Sequence, residues 1–219
     1  MACVLLTSLL GCGTSSPDRQ ALENIAHAFN NYRDTFGAWP PIQVEQADGQ
    51  PLHSWRVLIL PFVEANAFYD EYDFTSAWNA PSNADLADGT RHQPGAKFPQ
   101  PAGVGTFYQT GNRSHANDTR FVAYVEHAMQ RSPFSGVKTE VACHLPPQKS
   151  ILILELTDSG IHWMEPKDVV ADSEFQSGGL TLEEVAKRIV GSVEIGATTI
   201  IRDRSQTLHR LDWPTTSEP

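Results

Sequence analysis

Cysteine is scarce: Cys3, Cys12 and Cys143 are the only three in 219 residues, and they form neither a C-x-x-C pair nor an even set. A disulfide framework and the usual zinc or thiol-redox sites are thereby excluded. Basic residues are also few. Lys and Arg number 16 against 26 Asp and Glu, for a formal net charge of -10, and a surface of that sign repels phosphate backbones, so nucleic acid is not expected as a partner. No hydrophobic run is long enough to cross a bilayer. The longest at the start, Ala2 to Gly11, is about half of the ~20 residues a membrane-spanning helix needs.

Catalytic signatures are missing too. The chain contains no G-x-S-x-G nucleophile elbow, no H-E-x-x-H zinc helix, no G-x-x-x-x-G-K-S/T phosphate loop and no regular acidic calcium loop. Gly103-Val104-Gly105 lacks the third glycine and the following helix signal of a dinucleotide site, and reads as a turn. No catalytic residue, cofactor or bound metal is therefore expected. Hydrophobic residues at 40% and charged residues at 19% are the proportions of a folded chain. Its length suits one domain with a continuous core.

The beginning of the chain carries a modification signal. Leu9-Leu10-Gly11-Cys12, followed by Gly13-Thr14-Ser15-Ser16, resembles a bacterial lipobox, although no Lys or Arg precedes it as in most export signals. Cleavage before Cys12 would remove residues 1–11 as a signal peptide, leave 12–16 as a tether, and put acyl chains on Cys12. Two or more such chains anchor a protein stably. The expectation is an exported protein, lipid-anchored to an envelope membrane and facing the periplasm or exterior. Cys143, among Val141, Ala142 and Leu145, reads as an inert thiol.

A domain is expected from residue 17 to 213, with a frayed tail at 214–219. Ser16-Pro17-Asp18 starts a helix, with Ser16 as N-cap and Pro17 at the first helical position. Leu22, Ile25, Ala26, Phe29 and Tyr32 make one apolar stripe, with His27 beside it, and Gly37 with Pro40-Pro41 ends the pattern. Ser54 to Phe74 is core material and reads as a helix from Ser54 that Pro61 breaks or kinks. Pro81 to Asp118, rich in turn residues, reads as a long irregular connection. Strands are expected at Phe121 to Glu126 and at Ile151 to Leu156, the latter central. Thr181-Leu182-Glu183-Glu184 is a capping box, with Leu182, Val185, Ala186, Ile189 and Val190 along one face of the helix behind it. Gly196 to Ile201 and Thr207 to Leu211 read as a closing hairpin.

Several of these segments together resemble a family of pseudopilin-like proteins of unknown function abundant in planctomycete bacteria. They are Leu22 to Pro41, Ser54-Trp55-Arg56-Val57-Leu58-Ile59-Leu60-Pro61-Phe62-Val63-Glu64, Phe68-Tyr69-Asp70, Trp78-Asn79-Ala80-Pro81-Ser82-Asn83 and His162-Trp163-Met164-Glu165-Pro166-Lys167-Asp168. The resemblance implies an α+β, pilin-like fold: an N-terminal amphipathic helix packed on an antiparallel sheet, with added short helices and a long irregular loop. It also implies kinship with general-secretion pseudopilins; it does not imply an enzyme. Such proteins begin with a prepilin leader and a long hydrophobic helix, and the lipobox-like start in their place argues against assembly into a fibre. They also tend to end with a histidine, a nine-residue spacer and Asp-Gly. Here Asp203 is kept, Arg204 stands at the glycine and Val193 at the histidine.

These readings point to a non-enzymatic envelope interaction module, with envelope or secretion proteins as partners. The alternative is a periplasmic binder of a small solute or cation. Aromatics such as Trp78 and Tyr108 would line its pocket, or Asp85, Asp88, His92, His115 and Asp118 would supply hard ligands to a cation. At least three of those same residues in one coordination sphere would make a third reading, a metal-assisted hydrolase. A solvated loop explains the same Asp and His spacing more simply. His162 and Glu165 could serve acid-base chemistry, but Trp163 suits a packing anchor and Pro166 a helix start.

Overall fold

A computed structural model describes residues 17–87, 117–125, 131–133, 150–170, 180–196 and 198–211. Helix α1 (Pro17–Phe36) carries the expected stripe, and Leu22, Ile25, Ala26, Phe29 and Tyr32 are all buried, while His27 faces outward. The helix ends where glycine was expected to end it: Gly37 takes a φ of 76° and its N–H donates to Arg33 O at 2.7 Å. Trp39 then folds back under the Arg33 guanidinium, 4.7 Å from the ring centroid. Ser16, the expected N-cap, lies outside the described residues.

The Ser54 segment is a chain of short helices whose breaks have chemical causes. Ser54 Oγ accepts from Arg56 N and caps α2 (Trp55–Leu58). Pro61 lacks the N–H that a continuing α-helix would need, and the backbone tightens into a 3-10 turn at Leu60–Val63. Glu64 closes that turn at a φ of 61°, and α3 (Asn66–Glu71) follows. The expected irregular stretch after Pro81 is corrected at its start, where α4 (Pro81–Ala87) forms with proline at its first position. Of the rest of that stretch, only Asn117 and Asp118 are described.

Two sheets are present among the described residues. Strands β1 (Gln43–Glu45) and β2 (Pro51–Ser54) form a hairpin, and β4 (Arg131–Pro133) joins β1 in parallel. The large sheet contains β3 (Phe121–Val125), β5 (Ile151–Leu156), β6 (Val169–Val170), β7 (Leu180–Thr181), β8 (Ile189–Ile195), β9 (Thr199–Arg202) and β10 (Leu208–Leu211). Its order is β10-β9-β8-β5-β3-β6-β7, antiparallel from β10 to β3 and parallel through β6 and β7. β5 is thus central, as its unbroken apolar run implied.

The capping box is present as read. Thr181 Oγ1 accepts from Glu184 N, and the Glu184 carboxylate accepts from Thr181 N. The helix behind it, α5 (Leu182–Ala186), is one turn shorter than expected, and Ala186 is exposed. Ile189 and Val190 belong instead to β8, whose residues lie directly across from β5. β-branched residues at that point favour pairing with a waiting strand over a further helical turn. The final hairpin forms, with its first strand starting at Thr199 rather than Gly196.

Alternation along the strands separates two apolar clusters. Phe121, Ala123, Ile151, Ile153, Val193, Ile195 and Ile201 face inward and share one core with Leu22, Ile25 and Phe29 of α1. Val122, Leu154, Leu156 and Val169 face the other way, with Ile161 and Val185 over them. Each fully buried side chain of this kind is worth about 1.5–3 kcal/mol. The architecture is α+β, an N-terminal helix on a sheet antiparallel from β10 to β3 with short helices added, as the pilin-like reading expected, and the parallel β6 and β7 extend that sheet.

Candidate functional site

Three neighbouring segments meet along residues 162–168, far from them in sequence. Phe68 of α3 packs edge-on against Trp163, at 5.1 Å between ring centroids. Trp78 lies 5.3 Å from the His162 ring at an interplanar angle of 33°. Arg56 of α2 reaches Asp168, with Nη2 2.7 Å from Oδ1. The segments around Arg56, Phe68 and Trp78, all singled out in the sequence, touch this one segment.

The Arg56–Asp168 contact is the innermost. Arg56 has no solvent exposure, so its charge must be matched in place. Its Nε donates to Phe121 O at 2.9 Å, and Nη1 to Ser54 Oγ at 2.8 Å and to Glu165 O at 3.3 Å. Asp168 Oδ1 also accepts from Ala123 N at 2.7 Å and Trp55 Nε1 at 3.3 Å. Burial pushes the Asp168 carboxyl up to about 6, against the pull of Arg56 and these donors. It is ionised at neutral pH. The group ties α2, β3 and the start of β6 together, and its environment is that of a structural junction.

His162 and Trp78 are half-buried and reach the surface above that junction. His162 Nδ1 accepts from Met164 N at 3.2 Å, and residue 162 bridges Asp118. Of the proposed acid-base pair, Glu165 contributes its backbone: its N–H donates to His162 O and its carbonyl accepts from Arg56. Trp163 is 2% exposed, the packing anchor it was expected to be. Pro166 starts no helix. It is buried ahead of β6, and the expectation is corrected there.

A second polar group fixes the loop that carries Trp78. His53 is fully buried, its Nε2 3.0 Å from Phe74 O and its Nδ1 3.0 Å from the Tyr72 hydroxyl. A carbonyl only accepts, so Nε2 carries the proton and Nδ1 accepts from Tyr72. Loss of hydration lowers the His53 imidazole to about 4. Asp73 accepts from Thr75 N, Thr75 Oγ1 and Ser76 Oγ, and these bonds hold its carboxyl at about 2. Asn83 of α4 donates to Asp73 O and Ala77 O and accepts from Asp73 N, fixing the loop from which Trp78 projects.

On the central strand β5, opposite Phe121, Glu155 is wholly buried and lies 2.7 Å from Arg204 Nη2 and 3.6 Å from Arg120 Nη1. Val193 sits in the inward core opposite Ile201. Asp203 organises the last turn by accepting from Ser205 N and Thr207 N, and its other oxygen lies 2.7 Å from His209 Nε2. The residue at positive φ in that turn is Gln206, at 64°, so Arg204 fits without glycine's freedom.

Of the cation candidates, Asp85 lies on α4 and Asp118 at the bridge to His162, while Asp88, His92 and His115 lie outside the described residues. Among the described residues no group of three or more His, Cys, Asp or Glu is placed to hold a metal ion. Tyr108, Gly103, Gly105, Cys143 and the lipidation candidate Cys12 also lie outside them. The residues that sequence reasoning missed are Arg56, Asp168, His53 and Glu155. A signal existed for the first: an arginine inside Trp55-Arg56-Val57-Leu58-Ile59-Leu60 is a charge in an apolar run, and implies a buried counter-charge elsewhere.

Neither the curated proteins nor the solved structures contain a match to this chain. One protein-family model does match, over residues 19–138, more than half of the 219 residues. That span holds α1 through β4, including both Arg56 and Trp78. The chain belongs to the family described as protein of unknown function DUF1559.

Proposed function

We propose that this is a non-enzymatic envelope lipoprotein, anchored through Cys12, whose pseudopilin-like domain serves as an interaction module for other envelope or secretion proteins. The observation that carries the reading is the run Leu9-Leu10-Gly11-Cys12, separated by only four residues, Gly13 to Ser16, from the first residue of α1. A cysteine so close to a folded domain is placed to hold that domain at a membrane surface through acyl chains. The apolar stripe of α1 is spent on the sheet. No described helix is long and apolar enough to cross a membrane. The burial of Arg56 and Asp168, and their bonds to backbone of β3, support a scaffolding role for the junction rather than a chemical one.

The test is fractionation of native cells expressing wild type or Cys12→Ser, with cross-linking and mass spectrometry of the membrane fraction. Wild type should sediment with membranes and capture envelope or secretion components, and the variant should be released. If both forms are soluble and capture nothing, the anchor is wrong and the small-solute or cation-binding reading takes its place.

A further inference from the structure

We draw no further inference here: the strongest candidate, the exposed pair Ile200 and Leu208 on the outward face of β9 and β10, carries nothing because nothing in the structure shows what covers it.

Discussion

Arg56 Nη2 donates to Asp168 Oδ1 across 112 residues of chain, from a guanidinium with no solvent exposure. Removing one charge strands the other, at a cost of about 3–5 kcal/mol for a buried pair. Arg56→Met, which strands the buried Asp168 carboxylate, should therefore lower stability by that amount in urea unfolding. Asn Oδ1 would still accept from Ala123 N, so the double variant Arg56→Met with Asp168→Asn should recover much of the loss. A single-variant cost below about 1 kcal/mol would mean that the pair does not hold the junction.

His53 gives stability a defined acid limb. Its ring has an ordinary value of 6.5 and a folded value of about 4, so between them the unfolded chain binds the extra proton. The contribution is intact above the ordinary value and is lost progressively as pH falls toward the folded one, amounting to roughly 3 kcal/mol. His53→Gln keeps a donor for Phe74 O and an acceptor for Tyr72 without the titration. Wild type should lose stability relative to this variant across that window. Asp168 works with the opposite sign, because its folded carboxyl is raised, and it cancels in the comparison. Parallel curves for the two proteins would refute the assignment.

Gly191 has no room for a methyl group. A Cβ there would lie 2.8 Å from Glu155 Oε2, 3.1 Å from Arg202 O and 3.3 Å from Leu22 Cδ1. Overpacking of this kind costs about 1–3 kcal/mol, and Gly191→Ala should show it in thermal melts. At Gly196 the nearest atom is Ser150 Cβ at 3.3 Å, with the next contacts at ordinary distances. Gly196→Ala should cost less, and an equal cost would place the constraint in the backbone instead.

The first half of the chain should not fold by itself. β3 lies between β5 and β6, and both come after residue 138. A fragment of residues 17–138 leaves the inward Phe121 and Ala123 without β5, and Arg56 without its carboxylate. It should show no cooperative melt and poor amide dispersion, whereas 17–213 should show both a sharp transition and dispersed signals. A sharp melt from the short fragment would divide the protein differently.

Local rules were legible where one element decides its own form. The stripe and glycine stop of α1, the helix start at Ser54 and the Thr181 box all depend on neighbours within a few positions, and all are present. Ile189 and Val190 were misread because their periodicity suited a helix, and only the distant β5 makes a strand of them. The buried polar groups were missed for the same reason. Nothing near His53 in sequence announces Phe74 O as its partner, and Asp168 follows Lys167 as an ordinary surface pair would. Chemical identity is local, while counter-charges are set by topology.

The placement of α1 against β8 and β9 also dictates an order of events. A chain that emerges N-terminus first presents Leu22, Ile25 and Phe29 long before the strands that cover them exist. Closing contacts of such long sequence separation is slow, and an uncovered apolar helix is prone to wrong partners meanwhile. The nascent helix must therefore be kept from premature association until β8 and β9 are out, and folding begins in earnest only when those strands arrive to receive it.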